Sequence, residues 1–427
     1  MKKIRTGKRN GNFNIVRITI FLIIFCVAVL QQVSYGSPDT SQRLQKPASR
    51  REIKKAITQI NSSEAEAVRK AQQAVGLKGR GVRIIATSPS VADICDRLDL
   101  DLVGICNSTV SDMPKRYKNV SVIGTPMAPD MEKTASTQPD WILSPRSLQA
   151  DLQPKYEAIH TQWAFLNLDS VQGMYKSIYE LGIIFGKQKQ ADALVEKYVD
   201  SYMSVIKSNK GKKRPKVLIL MGLPGSYIIA TNKSYVGNLV EMSGGDNVYK
   251  DSKKAFLTVN TEDIKKQNPD VILRTAHALP DEVVEMFEKE FKTNSIWKHF
   301  DAVKNDRVYD ISYENCGMSA NFRYINALKE IRPMIYARSR KEIKKVKKVS
   351  KEANKKAKKS HGKEKYDKQN KRKAESQGRR IFLSTEQNEK SPMSTSFYTD
   401  TATIRFLNLF PTFHAPIMSQ AITPVRG

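Results

Sequence analysis

Two side chains in this 427-residue sequence could ligate a metal ion and lie in loops between predicted strands and helices. His277 lies just beyond the predicted strand 271–274, and Met127 lies in a loop between Pro126 and Pro129. An imidazole and a thioether together form an axial ligand pair for haem iron. Position alone leaves simpler interpretations open, with His277 as a loop histidine without a task and Met127 as a core residue.

Most enzyme motifs are absent from the sequence. Residues 222–226 follow a predicted strand but lack the spacing of a phosphate-binding loop, and there is no nucleophile elbow or zinc-protease motif. Cys95, Cys106 and Cys316 are scattered without zinc-ligand spacing, which indicates small buried residues rather than a disulfide framework. The sequence therefore offers none of these signatures for catalysis.

The elements that must position His277 and Met127 form two similar halves. Short apolar strands alternate with helical segments, and the predicted strands are 82–87, 102–105, 141–143, 216–221, 227–230, 271–274 and 308–311. Residues 170–210 contain no proline and are typical of helix. This order predicts an α/β fold with two Rossmann-like lobes, 81–187 and 214–337, joined by a long helix over 188–213. Ligands of such sheets bind beyond the carboxyl ends of the strands, so we expect the ligand groove between the lobes.

The positive charge of the chain lies outside the predicted lobes. The net charge is +29, but residues 81–337 carry 33 Lys and Arg against 31 Asp and Glu. Residues 338–380 carry 20 Lys and Arg against 5 Asp and Glu. We predict that they form a Lys-rich, low-complexity segment, either solvated chain or a fluctuating helix. We assign no role to the tail 381–427. A basic globular core is excluded, and we expect no nucleic-acid partner.

The N-terminus has the pattern of an export signal. A basic leader precedes the apolar run 18–30, which is short for a membrane span, and small residues at Ser34 and Gly36 suit cleavage before Ser37. We predict a signal peptide or membrane anchor at 1–36 and a polar tether at 37–80, with some helical character around 63–75. Lipidation of Cys26, cleavage after Gly36 and retention of the segment stay open. Each places the lobes at the outer face of the cytoplasmic membrane or the cell surface.

Motifs in both predicted lobes resemble those of the IsdE-type haem receptors of Gram-positive bacteria, the substrate-binding proteins of haem ABC importers. The resemblance runs in order from about residue 81 to 336. The motifs include Arg97–Leu100, Pro114–Lys118, Ile123–Pro129, Lys216–Tyr227, Pro269–Arg274 and Ile296–Phe300. It implies a class III periplasmic-binding-protein-like fold, with two α/β lobes joined by one rigid helix and haem in the groove between them.

The resemblance also implies roles for individual residues. An axial Met from the first lobe and an axial His from the second match Met127 and His277. Haem propionates face backbone amides at helix starts, and the matching turns contain Ser90, Val91, Ser108 and Thr109; ordinary helix capping is compatible with this. One glutamate on each lobe pairs with permease arginines, and the matching residues are Glu132 and, as a second choice, Glu241.

We therefore expect a monomeric, cell-surface haem-binding protein that delivers haem to an ABC permease with its cytoplasmic ATPase, and that receives haem from surface donor proteins. Two alternatives remain open. A receptor of the same fold could bind a siderophore or cobalamin, which would make Met127 and His277 dispensable. A surface protein could instead bind polyanions or mediate adhesion through residues 338–380. Haem degradation is disfavoured, because two axial ligands leave no oxygen site.

Overall fold

The computed structural model describes residues 49–78, 81–108, 113–277 and 279–360, all within one compact unit, 1–363. The predicted signal 1–36 and the tail 381–427 lie outside the described residues. Among the helices that are described, none is both long enough and apolar enough to cross a membrane.

Two helices precede the first lobe. They are α1 (Arg50–Thr58) and α2 (Ser62–Gly76), each started by a capping box, from Ser49 with Glu52 and from Asn61 with Glu64. Their apolar faces are buried in the core through Ile53, Ile57, Val68 and Ala71. Helix α2 agrees with the helical character predicted around 63–75, but residues 49–76 are docked on the core and do not form a polar tether. A few apolar residues at helical spacing are enough to dock these mostly polar helices.

The first lobe is an α/β unit built on a parallel sheet. Its elements are β1 (Ile84–Ala86), α3 (Pro89–Arg97), β2 (Leu102–Ile105), β3 (Ser121–Val122), α4 (Met131–Ser136), β4 (Trp141–Pro145), α5 (Gln149–Ala158) and β5 (Gln162–Leu166). The five strands are parallel in the order β3-β2-β1-β4-β5. Strand β1 is buried along its whole length, as expected for a parallel sheet covered on both faces.

Two consecutive helices connect the lobes, α6 (Val171–Ile184) and α7 (Gln188–Asn209). A Cβ on Gly182 would lie 2.4 Å from the Ala191 methyl group, so this glycine permits close approach of the two helices. Tyr175 of α6 stacks on Tyr198 of α7 with ring centroids 4.5 Å apart. Helix α1 packs on both of these helices, and α2 packs on α6.

The second lobe mixes parallel and antiparallel strands. Its elements are β6 (Lys216–Leu223), β7 (Ser226–Ala230), α8 (Tyr235–Met242), β8 (Asp246–Asn247), β9 (Phe256–Leu257), α9 (Thr261–Gln267), β10 (Val271–Ala276), α10 (Pro280–Thr293), α11 (Asp301–Lys304), β11 (Val308–Asp310), α12 (Tyr324–Tyr336) and α13 (Arg340–Ser360). The sheet order is β11-β10-β6-β7-β9, with β8 also paired to β6. Strands β11, β10 and β6 are parallel, whereas β7 forms a hairpin with β6.

The predicted α/β fold with two sheet-containing lobes is confirmed. The Lys-rich segment 338–380 differs from its prediction over residues 340–360, where α13 docks on the second lobe instead of being a solvated helix. Ile343 is buried in the core, and Ser350 Oγ donates to the Asp310 carbonyl oxygen at 2.7 Å. The three cysteines of the lobes, Cys95, Cys106 and Cys316, are buried and free.

Candidate functional site

Two contacts join the second lobe to the first. The Ala320 amide, in the segment after β11, donates to the Leu168 carbonyl oxygen, just after β5, at 2.7 Å. In the same segment the Phe322 ring lies 4.0 Å from the Arg97 guanidinium carbon at the end of α3. The first contact joins segments that follow the carboxyl ends of β5 and β11, where ligands of α/β sheets bind, so we take these ends as the edges of the candidate groove. The second contact lies at the end of α3, where the chain returns toward the start of β2.

Met127 lies at the tip of a tight loop on the edge of the first lobe. Thr125 and Ala128 exchange backbone hydrogen bonds of 3.3 and 3.2 Å, and Gly124 pairs with Pro129 in an isolated bridge. Gly124 has a φ of 108°, and a Cβ there would lie 2.8 Å from the Ala128 carbonyl oxygen. The loop therefore needs glycine at its base and presents the thioether of Met127, which is 47% exposed.

His277 lies on the edge of the second lobe, one residue beyond β10. Its amide donates to the Gly222 carbonyl oxygen at 2.8 Å, which extends the β10–β6 ladder. A Cβ on Gly222 would approach Val283 to 2.5 Å, so α10 packs closely on the strand beside His277. Burial lowers the pKa of His277, which keeps the half-buried imidazole neutral at neutral pH. A neutral imidazole nitrogen is the form that ligates metal ions.

Apolar side chains accompany both ligating groups at the groove edges. Val122 of β3 is 50% exposed, and Leu279 beside His277 is 42% exposed. Leu279 has a φ of 45°, in the left-handed region that disfavours a leucine, and precedes the first helical residue, Pro280. Exposed apolar surface near a potential metal ligand pair suits a flat apolar ligand.

The start of α3 lies on the same edge of the first lobe as Met127, and two of the predicted ligand-binding residues are here. The Val91 amide donates to Ser88 Oγ at 3.3 Å and its side chain is buried in the core, so Val91 is engaged within the protein. Pro89 has no amide hydrogen. The amide of Ser90 has no intrahelical acceptor, because the first amides of a helix never have one, and Ser90 is half-buried.

The turn after β2 lies between α3 and the Met127 loop. Ser108 is half-buried at the end of this turn, and the neighbouring Asn107 amide donates to the Gly124 carbonyl oxygen at 2.7 Å. This bond joins the turn to the loop that carries Met127. Thr109, the second predicted residue in the turn, lies outside the described residues.

The two predicted docking glutamates differ in environment. Glu132 is exposed in the first turn of α4, after the Asp130 cap. Glu241 is half-buried near the end of α8. Burial, with a further contribution from the Glu241 charge, raises the pKa of Tyr202 to about 12. Glu241 is therefore engaged with α7 and is a poorer docking point than Glu132.

An internal repeat identifies a different glutamate in the second lobe. Helices α4 and α9 each begin after an Asx cap, Asp130 and Asn260, and each carries an exposed glutamate two residues later, Glu132 and Glu262. The residues eight after the caps, Gln138 and Asn268, both have positive φ, 47° and 42°. Ten residues after each cap, the side chain of an aspartate accepts a hydrogen bond from a backbone amide near the start of a neighbouring strand. Asp140 accepts from Arg83 at 2.9 Å, and Asp270 accepts from Lys216 at 2.7 Å. Glu262 therefore holds the position equivalent to Glu132, and sequence spacing alone could have found it.

The candidate site contains a thioether, Met127, in the loop after β3 and an imidazole, His277, directly after β10. Among the described residues there is no group of three or more His, Cys, Asp and Glu side chains that could hold a metal ion. Thioether and imidazole groups are both ligands of haem iron, so these two side chains are the candidates for iron ligation.

The comparisons with known proteins agree with this geometry. The profile of the periplasmic binding proteins matches residues 84–314. The high-affinity heme uptake system protein IsdE of Staphylococcus aureus is 43% identical over 256 residues, which are 60% of this chain and 87% of that protein.

Two solved structures support the same assignment. The crystal structure of S. aureus IsdE complexed with heme is 41% identical, with a TM-score of 0.57, and that of an ABC transporter substrate-binding protein from Listeria monocytogenes is 45% identical, with a TM-score of 0.58. Each covers 60% of this chain and 99% of the solved chain. These relatives indicate a binding protein rather than an enzyme, and the predicted resemblance to IsdE-type receptors is confirmed. The chain belongs to the periplasmic binding protein family.

Proposed function

We propose that this protein is an extracytoplasmic haem-binding receptor of an ABC uptake system, and that Met127 and His277 are the axial ligands of the haem iron. The observation that supports the proposal is that each lobe has one ligating side chain in a segment that follows a strand, Met127 after β3 and His277 after β10. The identity of 43% to a heme uptake protein and the similarity to a structure complexed with heme support haem as the ligand.

The residues at the groove edges suit capture of haem from both faces. The thioether of Met127 is held outward by a rigid loop, and a soft sulfur ligand favours reduced iron. The imidazole of His277 needs no deprotonation before it binds, because burial lowers its pKa. Val122 and Leu279 provide apolar contact with the porphyrin edge.

The haem propionates are proposed to lie at the start of α3 and at the turn after β2. The Ser90 amide lies at a helix N-terminus, where the helix dipole favours an anion. Ser108 adds a polar side chain on the same edge. Val91 contributes through its position in the core rather than through its amide, which donates to Ser88.

Delivery of haem to the permease is proposed to use one glutamate on each lobe. Glu132 keeps this role, and Glu262 takes the place of Glu241, because the repeated unit presents Glu132 and Glu262 in the same way. Both carboxylates are exposed in the first turn of a helix, where they are available to arginines of a partner.

The test of haem ligation is a haemin titration of the full chain followed by absorption spectroscopy. Wild type should give a saturable one-to-one Soret shift with six-coordinate, low-spin bands, and Met127→Ala and His277→Ala should each lose the six-coordinate spectrum. Met203→Ala on α7 and the exposed His299→Ala are matched controls and should keep it. The proposal fails if no shift saturates, or if both ligand variants keep the wild-type spectrum; binding of a siderophore or cobalamin would then replace it.

The test of docking uses haem transfer from the loaded receptor to its permease in proteoliposomes. Glu132→Gln combined with Glu262→Gln should slow transfer, while haem affinity in solution stays unchanged. Glu285→Gln combined with Glu288→Gln, two exposed residues of α10, removes the same charge and should transfer normally. Equal transfer by both double variants would contradict docking through the repeated unit.

A further inference from the structure

Helix α13 is fixed to the second lobe along one face. Its start is capped by Ser339, whose amide donates to Glu342 at 3.0 Å while the Glu342 amide donates to Ser339 Oγ at 3.2 Å. Ile343 is 4% exposed, and Val346 packs against the same core. Lys347 forms an ion pair with Asp306 on the lobe. These contacts fix which side of the helix faces solvent.

The opposite side of α13 is a row of lysines. Lys341, Lys344, Lys345 and Lys348 are all exposed, and their spacing of three, four and seven residues places them on one face. None of the four forms an ion pair with another described residue. The row covers seven residue steps, or about 10 Å along the helix axis. We name these four residues the lysine ridge.

The sequence continues the same charge along the helix. Residues 340–360 carry 11 Lys and Arg against 2 Asp and Glu, whereas residues 81–337 are nearly neutral. The matched periplasmic-binding-protein profile ends at residue 314, before this helix. The charge is therefore an addition to the binding-protein lobes, concentrated on one docked element.

We propose that the lysine ridge binds a linear, phosphate-rich polyanion at the cell surface. A single row of ammonium groups on a fixed rod matches a chain of phosphates that runs along it, since each lysine can neutralise one phosphate. A membrane is the poorer match. Helices that lie in a membrane interface insert an apolar face, but the apolar face of α13 packs on the protein.

This binding would be independent of the haem groove. The ridge lies on α13, which packs on β11 and α12, and none of its residues belongs to the groove edges. It would retain the receptor near surface polymers while the groove loads haem. The contact is electrostatic, so it should weaken steeply with salt, whereas iron ligation should not.

The test measures binding of the full chain to inorganic polyphosphate at several salt concentrations. The variant K341Q/K344Q/K345Q/K348Q should bind at least tenfold more weakly at low salt. Its plot of log affinity against log salt should be shallower by about three, because each lost phosphate contact removes about 0.7–0.9 from the slope. The control K189Q/K197Q/K289Q/K298Q changes four exposed lysines elsewhere and should stay within about twofold of wild type.

Further measurements separate binding by the ridge from the effects of unfolding and of net charge. Urea unfolding midpoints equal to wild type would show that both variants are folded without relying on haem. Equal weakening by both variants would overturn the proposal in favour of net charge alone. Absence of polyphosphate binding, or tighter binding to phosphatidylglycerol vesicles than to polyphosphate, would also overturn it, the latter in favour of a membrane.

Discussion

Glu180 places a carboxyl group inside the packing of α2 on α6. Its side chain is 4% exposed and lies 4.0 Å from Lys176 Nζ, which makes a shorter contact of 2.9 Å with Glu64. Burial outweighs the attraction of Lys176 and raises the pKa of Glu180 from 4.5 to about 8. The carboxyl group is therefore mostly protonated in the folded protein at neutral pH.

The substitution Glu180→Gln should raise the free energy of unfolding at neutral pH. The folded-state pKa lies above the unfolded value, so between pH 4.5 and 8 the folded chain holds a proton that the unfolded chain releases. Stability falls as pH rises through this window. At about 1.4 kcal/mol per pH unit, the group costs about 3 kcal/mol at pH 7, which is 2.5 units above 4.5. A glutamine amide of the same shape carries no such cost.

The assay is urea unfolding of wild type and Glu180→Gln at intervals between pH 5 and pH 8. The stability difference should be below about 1 kcal/mol at pH 5 and grow to about 3 kcal/mol at pH 7. Glu288→Gln, at an exposed position of α10, should show no growth with pH. A difference that is constant with pH, or a variant less stable than wild type at pH 7, would refute the assignment of a buried, protonated Glu180.

Three further substitutions test the surroundings of the groove by unfolding or hydrogen exchange. Asp310→Asn should lower the free energy of unfolding by about 3 kcal/mol, because the buried Arg274 loses a paired charge at 2.7 Å; an unchanged urea midpoint would contradict this. Phe322→Ala should lower it by about 2 kcal/mol and speed amide exchange around Leu168, because the aromatic contact between the lobes is lost; unchanged exchange would contradict this. Leu279→Gly should raise stability by about 1 kcal/mol, since its φ of 45° is strained for leucine, and a loss of stability would contradict this.

The strands and helices with a strong apolar pattern can be predicted from the sequence. The strand at Leu102–Ile105 has the predicted bounds. It is a nearly continuous apolar run, because a parallel sheet buries its strands on both faces. The loop position of His277 follows from the predicted strand 271–274, and that of Met127 from the prolines at 126 and 129.

Weakly patterned elements escape prediction, because their burial depends on tertiary partners. Strand β5 begins with Gln162 and includes the bulky Trp163, and the apolar pattern predicts no strand there. Helix α1 is mostly polar, and its apolar residues Ile53 and Ile57 are buried by α6 and α7, which lie more than 100 residues later. Helical character is predicted for α2, but its docking on α6 is not. The proposed docking residues show the same limit, since the family resemblance implies Glu241 only as a second choice. Glu262 requires a comparison of two units 130 residues apart, from Asp130 to Asn260.

The contacts around the groove indicate that its two edges are held in place before a ligand arrives. The lobes are joined covalently by α6 and α7, and Gly182 lets these helices pack closely. They are also joined by the Ala320 to Leu168 hydrogen bond and by Phe322 against Arg97. A groove that is already formed loses little conformational entropy on binding, so its affinity depends on ligand geometry rather than on closure. The loop that presents Met127 is also held in place, by the hydrogen bonds between Thr125 and Ala128 and by the close approach of Gly124 to the Ala128 carbonyl oxygen. Under the proposed function, Met127 would therefore meet the ligand without rearrangement of its loop.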